Sequence, residues 1–246
     1  MLIKLKLDHL IRLRSHIGHH SRFLDKKMNS YIIGLKDNIA IHDLEKSWYF
    51  LKTFYYNISR CFFFRNSFFF VGTNSNLPRE FVNELLTDKF LLKKNNINSF
   101  YMIGYIHKKW IGGVLSNWNI VYNFIQMILK YKKGKWVSKR HMRLFKNLKG
   151  LWLRDAHPSF PDFIFIIDGN KYAFKESISL DIPVLGIVDS NVNPNLFSLS
   201  ILGNDDSLEN IHFFVSLIEN AILQGRLQEQ EVFIMYLLTK IKSLII

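Results

Sequence analysis

A short central stretch combines the residue types that commonly bind nucleic acid. It spans residues 107–118 and reads His-Lys-Lys-Trp-Ile-Gly-Gly-Val-Leu-Ser-Asn-Trp. Its lysines could neutralise phosphates, and its two tryptophans suit either a protein core or stacking on an unpaired base. The Gly-Gly pair between them allows a tight turn or a close approach of the backbone to another surface. An ordinary turn with two buried tryptophans fits the same residues, so the stretch alone leaves both interpretations open.

The basic charge of the chain is concentrated around that stretch. The 246 residues carry a formal net charge of +13, and residues 89–154 hold fifteen Lys and Arg and no Asp or Glu. Aromatic residues such as Trp136 and Trp152 are interleaved with these cations. A segment of this kind favours a polyanionic partner, and interleaved aromatics favour single strands or loops of RNA. A solvated lysine-rich surface is the alternative.

Four aspartates support a different, catalytic hypothesis. Asp168, Asp189, Asp205 and Asp206 follow apolar runs that are predicted to be parallel strands. Carboxylates that meet beyond the carboxyl ends of such strands could hold Mg²⁺ for phosphoryl transfer. The same residues are also common in turns and helix caps, and neither glycine-rich phosphate-binding motif is present in the sequence. We therefore expect a protein that is not an enzyme and needs no cofactor, with an Mg-dependent phosphoryl-transfer enzyme as the alternative.

Histidines near the N-terminus form the only other cluster with possible metal chemistry. They lie in the segment His16-Ile17-Gly18-His19-His20. No carboxylate or thiolate is close to them in sequence, and Cys61 is the single cysteine of the chain. We expect no metal site here, because imidazoles alone seldom form one, and no internal disulfide is possible.

The apolar pattern predicts one α/β domain over residues 1–246, with a doubly wound, mostly parallel sheet and helices on both faces. Short apolar runs are separated by helical segments, as expected for strands that are buried on both sides. A β-hairpin is predicted over 31–44, followed by a helix over 46–59 that Asp43 caps and whose dense aromatic face should be core. The predicted strands of the main sheet occupy residues 68–71, 100–103, 163–167, 183–188 and 197–201.

Two further segments are predicted to lie outside this alternation. Residues 119–160 should form an inserted basic helical hairpin that protrudes from the sheet domain, with helices over about 118–131 and 137–149. Residues 226–246 should form a separate C-terminal helical extension, after a helix over about 207–224. Its apolar residues exceed what one face needs, which favours docking on a partner protein over spanning a membrane. Binding to an anionic membrane surface is a further alternative. The residues expected to face the partner are Val232, Phe233, Leu237, Leu238 and Ile241.

Ordered motifs along the chain resemble those of the ribosomal protein S2 family, in its bacterial and organellar form. His16-Ile17-Gly18-His19 resembles the H-F-G-H of that family, and the stretch over 107–118 resembles N-H-R-W-L-G-G-x-L-T-N-W. Together the matching blocks span about residues 8–226, which makes the resemblance far more specific than any single motif. The other blocks are Tyr31–Gly34, Asp43–Lys46, Phe70–Thr73, Pro161-Asp162, Lys175-Glu176, Ile182–Val184 with Val188-Asp189, and Gly203–Asp206.

The resemblance implies a non-enzymatic component of the small ribosomal subunit that binds rRNA and neighbouring ribosomal proteins. Only four alanines occur while Phe, Ile, Asn and Lys are abundant, a bias typical of AT-rich organelle genomes. We therefore expect a mitochondrial, organelle-encoded protein, with a plastid as the alternative, and a lineage-specific ribosomal protein at the C-terminal helix. The residues expected to bind rRNA are His16, His19, Arg22, Lys26, Lys27, Lys108, Lys109, Trp110, Asn117, Lys132, Lys133, Lys139, Arg140 and Arg143.

Overall fold

The N-terminal part of the chain forms a small antiparallel sheet. The computed structural model describes residues 7–64, 66–73, 103–106, 109–131, 138–148, 160–167 and 170–245, with side chains as far as residue 236. After helix α1 the strands pair in the order β1-β3-β2. Asp37 and Asn38 join β2 to β3 with φ of 51° and 61°, the left-handed conformation that tight hairpins require, so the predicted hairpin is confirmed. The elements are α1 (Leu7–Arg12), β1 (Ile17–His20), β2 (Ile32–Lys36) and β3 (Ile39–His42).

The main sheet is parallel throughout its described strands. Their order is β5-β4-β6-β7-β8, so the chain moves outward from β4 to β5 and then returns to the other side of β4. This reversal is the mark of a doubly wound sheet, and the predicted fold class is confirmed. One boundary is wrong: Gly104 lies inside β5, paired with Phe69, because the apolar run continues beyond it. The strands are β4 (Phe68–Val71), β5 (Ile103–Ile106), β6 (Phe163–Ile166), β7 (Val184–Val188) and β8 (Leu199–Leu202).

Helices cover both faces of this sheet because alternate strand residues point to opposite sides. Phe68 and Phe70 belong to the core cluster on one face, whereas Phe69 and Val71 belong to the cluster on the other. Helices α2 and α6 pack on the first face, and α3, α4 and α5 pack on the second. The helices are α2 (Leu44–Phe63), α3 (Trp118–Tyr131), α4 (Lys139–Leu148), α5 (Lys171–Ser179) and α6 (Leu208–Ile245).

Helix α2 begins where its cap was predicted, but its aromatic residues are not all core. The carboxylate of Asp43 accepts hydrogen bonds from the backbone N–H groups of Glu45 and Lys46, at 3.1 and 3.2 Å. Phe54 is fully buried, whereas Tyr49 and Tyr56 are 69 % and 60 % exposed. The expectation of a wholly buried aromatic face is wrong for these two tyrosines, because aromatic residues occur all round the helix and only one side meets the sheet.

Helix α6 runs without a break through the point where two separate helices were predicted. Its 38 residues extend from Leu208 to Ile245. Gly225 does not end the helix, and it marks the place where α6 crosses α2. A Cβ atom at this position would overlap the backbone carbonyl of Ser59, so only glycine permits this approach. Beyond the crossing the described side chains are largely exposed. Among the described helices, none has the length and apolarity needed to cross a membrane.

The basic region forms two helices near the predicted positions. Helices α3 and α4 contact each other, and Ile125, Ile128, Phe145 and Leu148 join the core cluster on their side of the sheet. The residues that link the pair, 132–137, and those that follow it, 149–159, lie outside the described residues. That residues 119–160 form an inserted, protruding unit therefore stays a prediction. The sequence also predicts a helix from near Pro78 through Asp88, and these residues lie outside the described ones.

Candidate nucleic-acid interface

An N-terminal arm, residues 15–27, is docked against the carboxyl end of the main sheet. The backbone N–H of His19 donates to Ser190 Oγ at 2.7 Å, and that of Asp25 donates to the backbone oxygen of Ser190 at 2.9 Å. Gly18 passes so close that a Cβ atom there would lie 2.8 Å from Ser190 Oγ. A larger residue at this position would have to displace the side chain of Ser190, so glycine suits this close approach of the arm to the sheet domain.

The carboxylate of Asp189 is the centre of this docking. Asp189 directly follows β7 and is 1 % exposed. Its Oδ1 lies 3.1 Å from His42 Nε2, and its Oδ2 lies 3.2 Å from His19 Nδ1. It also accepts hydrogen bonds from the backbone N–H groups of Ser190 and Asp205. Four donors on one buried carboxylate join the arm, strand β3 and the loops after β7 and β8.

Among the histidines of the arm, His19 is paired with carboxylates of the protein. The hydrogen bond to Asp189 raises the pKa of His19 to about 9, so this imidazole is protonated at neutral pH. Its second ring nitrogen lies 3.3 Å from the carboxylate of Asp206. Burial, and then the charge of His42, lower the pKa of His16, whose Nδ1 is buried without a partner. The ring of His19 is therefore held between two carboxylates of the protein, and rRNA binding by His16 and His19 stays a prediction.

The fold brings two carboxylates close to His19 that are distant from it in the sequence. Ligand atoms of His19, Asp205 and Asp206 all lie within 4.8 Å of one another, but the protonated ring of His19 has no lone pair to offer a cation. The two carboxylates come from the loop after β8, far from the histidines in sequence, and only the fold brings them together. That no metal binds near these histidines stays a prediction.

The arrangement of the strand ends gives the phosphoryl-transfer hypothesis no support. Asp189 is saturated by histidines and backbone amides, which leaves it no free lone pair directed at a substrate. At the reversal of strand order, where doubly wound enzymes bind ligands, Asn170 Nδ2 donates to Thr73 Oγ1 at 2.6 Å. Asp168 lies outside the described residues.

In the central turn, residues 109–117, the polar residues at the two ends are exposed to solvent and the tryptophan is buried. Trp110 is 6 % exposed, packs edge-on against Phe69, and donates its indole N–H to Glu176 Oε2 at 3.1 Å. This placement does not fit stacking on a base, so we remove Trp110 from the expected rRNA contacts. Lys109 and Asn117, at either end of the turn, are exposed. Lys108 lies outside the described residues.

Helix α4 turns its cations outward. Phe145 and Leu148 face the core, and the opposite side carries Lys139, Arg140 and Arg143, all exposed. The predicted contacts Lys132 and Lys133 lie outside the described residues. Arg22, Lys26 and Lys27 are exposed on the arm. Within the part of the chain that the structure describes, none of these cations, nor Lys109, forms a salt bridge.

Sequence reasoning missed two residues that organise these surfaces. The sequence motifs do not single out His42, although the alternation of β3 places it on the same inward side as Ala40, where an ionisable side chain needs a partner. Glu176 belongs to one of the matching motifs, and the structure shows that its carboxylate holds the central turn. For Glu176 no local signal exists, because its partners lie about 60 residues away.

Comparison with known proteins agrees with this architecture. The family model described as "Ribosomal protein S2" matches residues 10–225. Small ribosomal subunit protein uS2 of Borreliella burgdorferi is 29 % identical, over 85 % of this chain and 81 % of its own length. The protein of the same name from a Nitratiruptor species is 30 % identical, over 88 % and 81 %. Small ribosomal subunit protein uS2c of Mesostigma viride is 29 % identical, over 89 % and 96 %.

The catalytic alternative gains nothing from these relatives, since the matched family is structural and non-enzymatic. The match covers most of the chain, from the N-terminal arm to the crossing of α6 over α2. The chain therefore belongs to the ribosomal protein S2 family, and it is a structural constituent of the small ribosomal subunit.

Proposed function

We propose that this protein binds small-subunit rRNA through a cationic surface made of the arm, the central turn and helix α4. One observation carries the proposal: the described lysines and arginines of segment 89–154 are exposed, and that segment contains no acidic residue to neutralise them. Such a surface is suited to phosphates and to the shape of a folded RNA. The proposed contacts are Arg22, Lys26, Lys27, Lys109, Asn117, Lys139, Arg140 and Arg143, and His16, His19, Lys108, Lys132 and Lys133 stay predicted contacts.

The triple variant Lys139→Ala, Arg140→Ala, Arg143→Ala tests the part played by α4. If each side chain contacts a phosphate, the log–log slope of rRNA affinity against salt should become shallower by about 2, because the variant makes fewer phosphate contacts and its binding therefore releases fewer counterions. The measurement is a filter-binding titration on small-subunit rRNA at several salt concentrations.

A control variant removes three exposed cations outside segment 89–154, Lys36→Ala, Lys52→Ala and Arg60→Ala. It should change the slope much less, since two of its sites lie on α2, which covers the opposite face of the sheet. An unchanged slope in the α4 variant would remove α4 from the interface. Equal changes in both variants would show that only overall charge matters.

We also propose that the ribosome in question is mitochondrial. The scarcity of alanine and the abundance of Phe, Ile, Asn and Lys support an AT-rich, organelle-encoded gene. The similarity to bacterial uS2 proteins and to one uS2c is consistent with an organelle of bacterial ancestry. The protein should therefore be recovered with small subunits from purified mitochondria; recovery from plastids instead would favour the alternative location.

The exposed part of α6 is proposed to bind a neighbouring, lineage-specific ribosomal protein. Val232 and Phe233 are 57 % and 58 % exposed, and Ile234, Met235 and Tyr236 continue the same apolar run. Consecutive apolar residues point to different sides of a helix, so a partner must surround more than one face. This segment also lies beyond the part that the family model matches, residues 10–225. Leu237, Leu238 and Ile241 belong to the same predicted contact surface.

Photo-crosslinking in isolated small subunits distinguishes this contact from RNA binding. A photoreactive residue in place of Phe233 should give an adduct with a protein, because the apolar run 232–236 contains no cation that could bind a phosphate backbone. The matched probe at Lys139 should give an adduct with rRNA. An rRNA adduct at position 233, or none, would argue against a protein partner there, and a lipid adduct would favour a membrane surface.

A further inference from the structure

The carboxylate of Glu176 is held by an unusual concentration of donors. Its Oε1 accepts hydrogen bonds from the backbone N–H of Leu115 at 2.8 Å, from that of Ser116 at 2.9 Å, and from Ser116 Oγ at 3.0 Å. Its Oε2 accepts from the backbone N–H of Gly113 at 3.2 Å and from Trp110 Nε1 at 3.1 Å. Successive backbone N–H groups that converge on one anion form a concave anion-binding site. Here a side chain of the protein itself fills that site.

The geometry of the central turn depends on this arrangement. Gly113 has φ of +86°, which an L side chain rarely adopts, and a Cβ atom there would lie 2.7 Å from Asn117 Nδ2. Val114 and Leu115 are buried, so the turn is anchored in the core on one side and to Glu176 on the other. Lys109 and Asn117, at its two ends, remain exposed.

We propose that Glu176 is a positioning residue for rRNA binding: it fixes the turn over residues 109–117 so that Lys109 and Asn117 face the RNA together. The proposal rests on the rRNA-binding function proposed above. A carboxylate beside a polyanion-binding surface should by itself weaken binding through repulsion. The five hydrogen-bond donors offset the charge of Glu176, and Glu176 in turn organises the central turn.

The sign of the mutational effect separates positioning from simple electrostatics. Removing a negative charge from an RNA-binding protein should tighten binding or leave it unchanged, and that is the result expected for the control Glu231→Ala, an exposed glutamate on α6. For Glu176→Ala we expect rRNA affinity to fall by about tenfold, comparable to the loss of one or two phosphate contacts. Glu176→Gln, which keeps one acceptor oxygen for Leu115 and Ser116, should fall between the wild type and Glu176→Ala.

A double-mutant cycle shows whether Glu176 acts through the turn. In a Lys109→Ala, Asn117→Ala background, Glu176→Ala should cause little further loss of affinity, because the groups it positions are already gone. A loss that persists in full would assign Glu176 to general stability. Unchanged or tighter binding in Glu176→Ala, the result expected for Glu231→Ala, would overturn the positioning role.

Amide hydrogen exchange tests the turn without RNA. The N–H groups of Gly113, Leu115 and Ser116 should be protected in the wild type and exchange at least about tenfold faster in Glu176→Ala, as local opening becomes easier. If they are protected and the wild type fails to bind rRNA, the rRNA-binding function is wrong, and positioning for RNA falls with it. If they are unprotected in the wild type, Glu176 does not hold the turn, whatever the RNA affinity.

Discussion

Asp189→Ala is expected to lower the free energy of unfolding by about 3–5 kcal/mol, the usual cost of removing one partner from a buried ion pair. The substitution leaves the fully buried ring of His42 without its Nε2 partner and removes the contact to His19 Nδ1. It also leaves the backbone N–H groups of Ser190 and Asp205 without their acceptor. Urea denaturation followed by circular dichroism measures the loss.

The matched control for this prediction is Asp206→Ala. Asp206 contacts the other ring nitrogen of His19, but its side chain is 52 % exposed, so water screens the pair. We expect its removal to cost no more than about 1 kcal/mol. Asp189→Asn keeps the size of the side chain and should be intermediate. If Asp189→Ala costs no more than Asp206→Ala, the docking of the arm does not depend on this carboxylate.

The same ion pair should make stability depend on pH. The pKa of His19 is raised from 6.5 to about 9 by its hydrogen bond to Asp189, so its contribution is complete below pH 6.5 and is lost as the pH rises through 9. Burial alone would raise the pKa of Asp189, but hydrogen bonds from His19 and His42 hold it well below its usual value. Its contribution is therefore present above about pH 4 and is lost in acid. Wild-type stability should fall between pH 6.5 and 9 by on the order of 1–3 kcal/mol, and Asp189→Ala should not show this fall.

Gly225→Ala is expected to destabilise the protein by about 1–3 kcal/mol, the usual cost of overpacking a core. In an exposed helix the same change would stabilise by up to about 1 kcal/mol, because alanine has the higher helix propensity. At Gly225 the new Cβ would overlap the backbone carbonyl of Ser59 and press on Phe62 Cβ, and backbone atoms cannot move aside as a side-chain end can. The measurement is thermal and urea unfolding of the full chain.

Gln228→Ala is the control for position 225, since it is an exposed residue one turn further along α6. It should leave stability unchanged or raise it slightly. A gain of stability in Gly225→Ala would mean that α2 and α6 do not cross as closely as the structure has them.

Much of the fold was predictable because its signals are local. The strands of the main sheet are short apolar runs, and the capping of α2 by Asp43 and the Asp37-Asn38 turn are determined by neighbouring residues. The family is likewise recognisable from ordered local motifs, and the concentration of cations in one segment is a property of composition alone. The proposed rRNA contacts within that segment follow from its charge, and they stay predictions.

The tertiary structure decided what depends on residues that are distant in the chain. His19, His42 and Asp189 come from three separate segments, and only folding shows that they are partners. The residues next to Trp110 in the sequence do not show whether its ring faces RNA or the core. In the folded protein the ring packs against Phe69 and donates a hydrogen bond to Glu176, so it faces inward. Gly225 looks like a helix end in sequence because glycine weakens a helix. In the structure, Gly225 instead lets α6 continue past its close crossing with α2. The sequence of either helix alone does not reveal this steric contact between them.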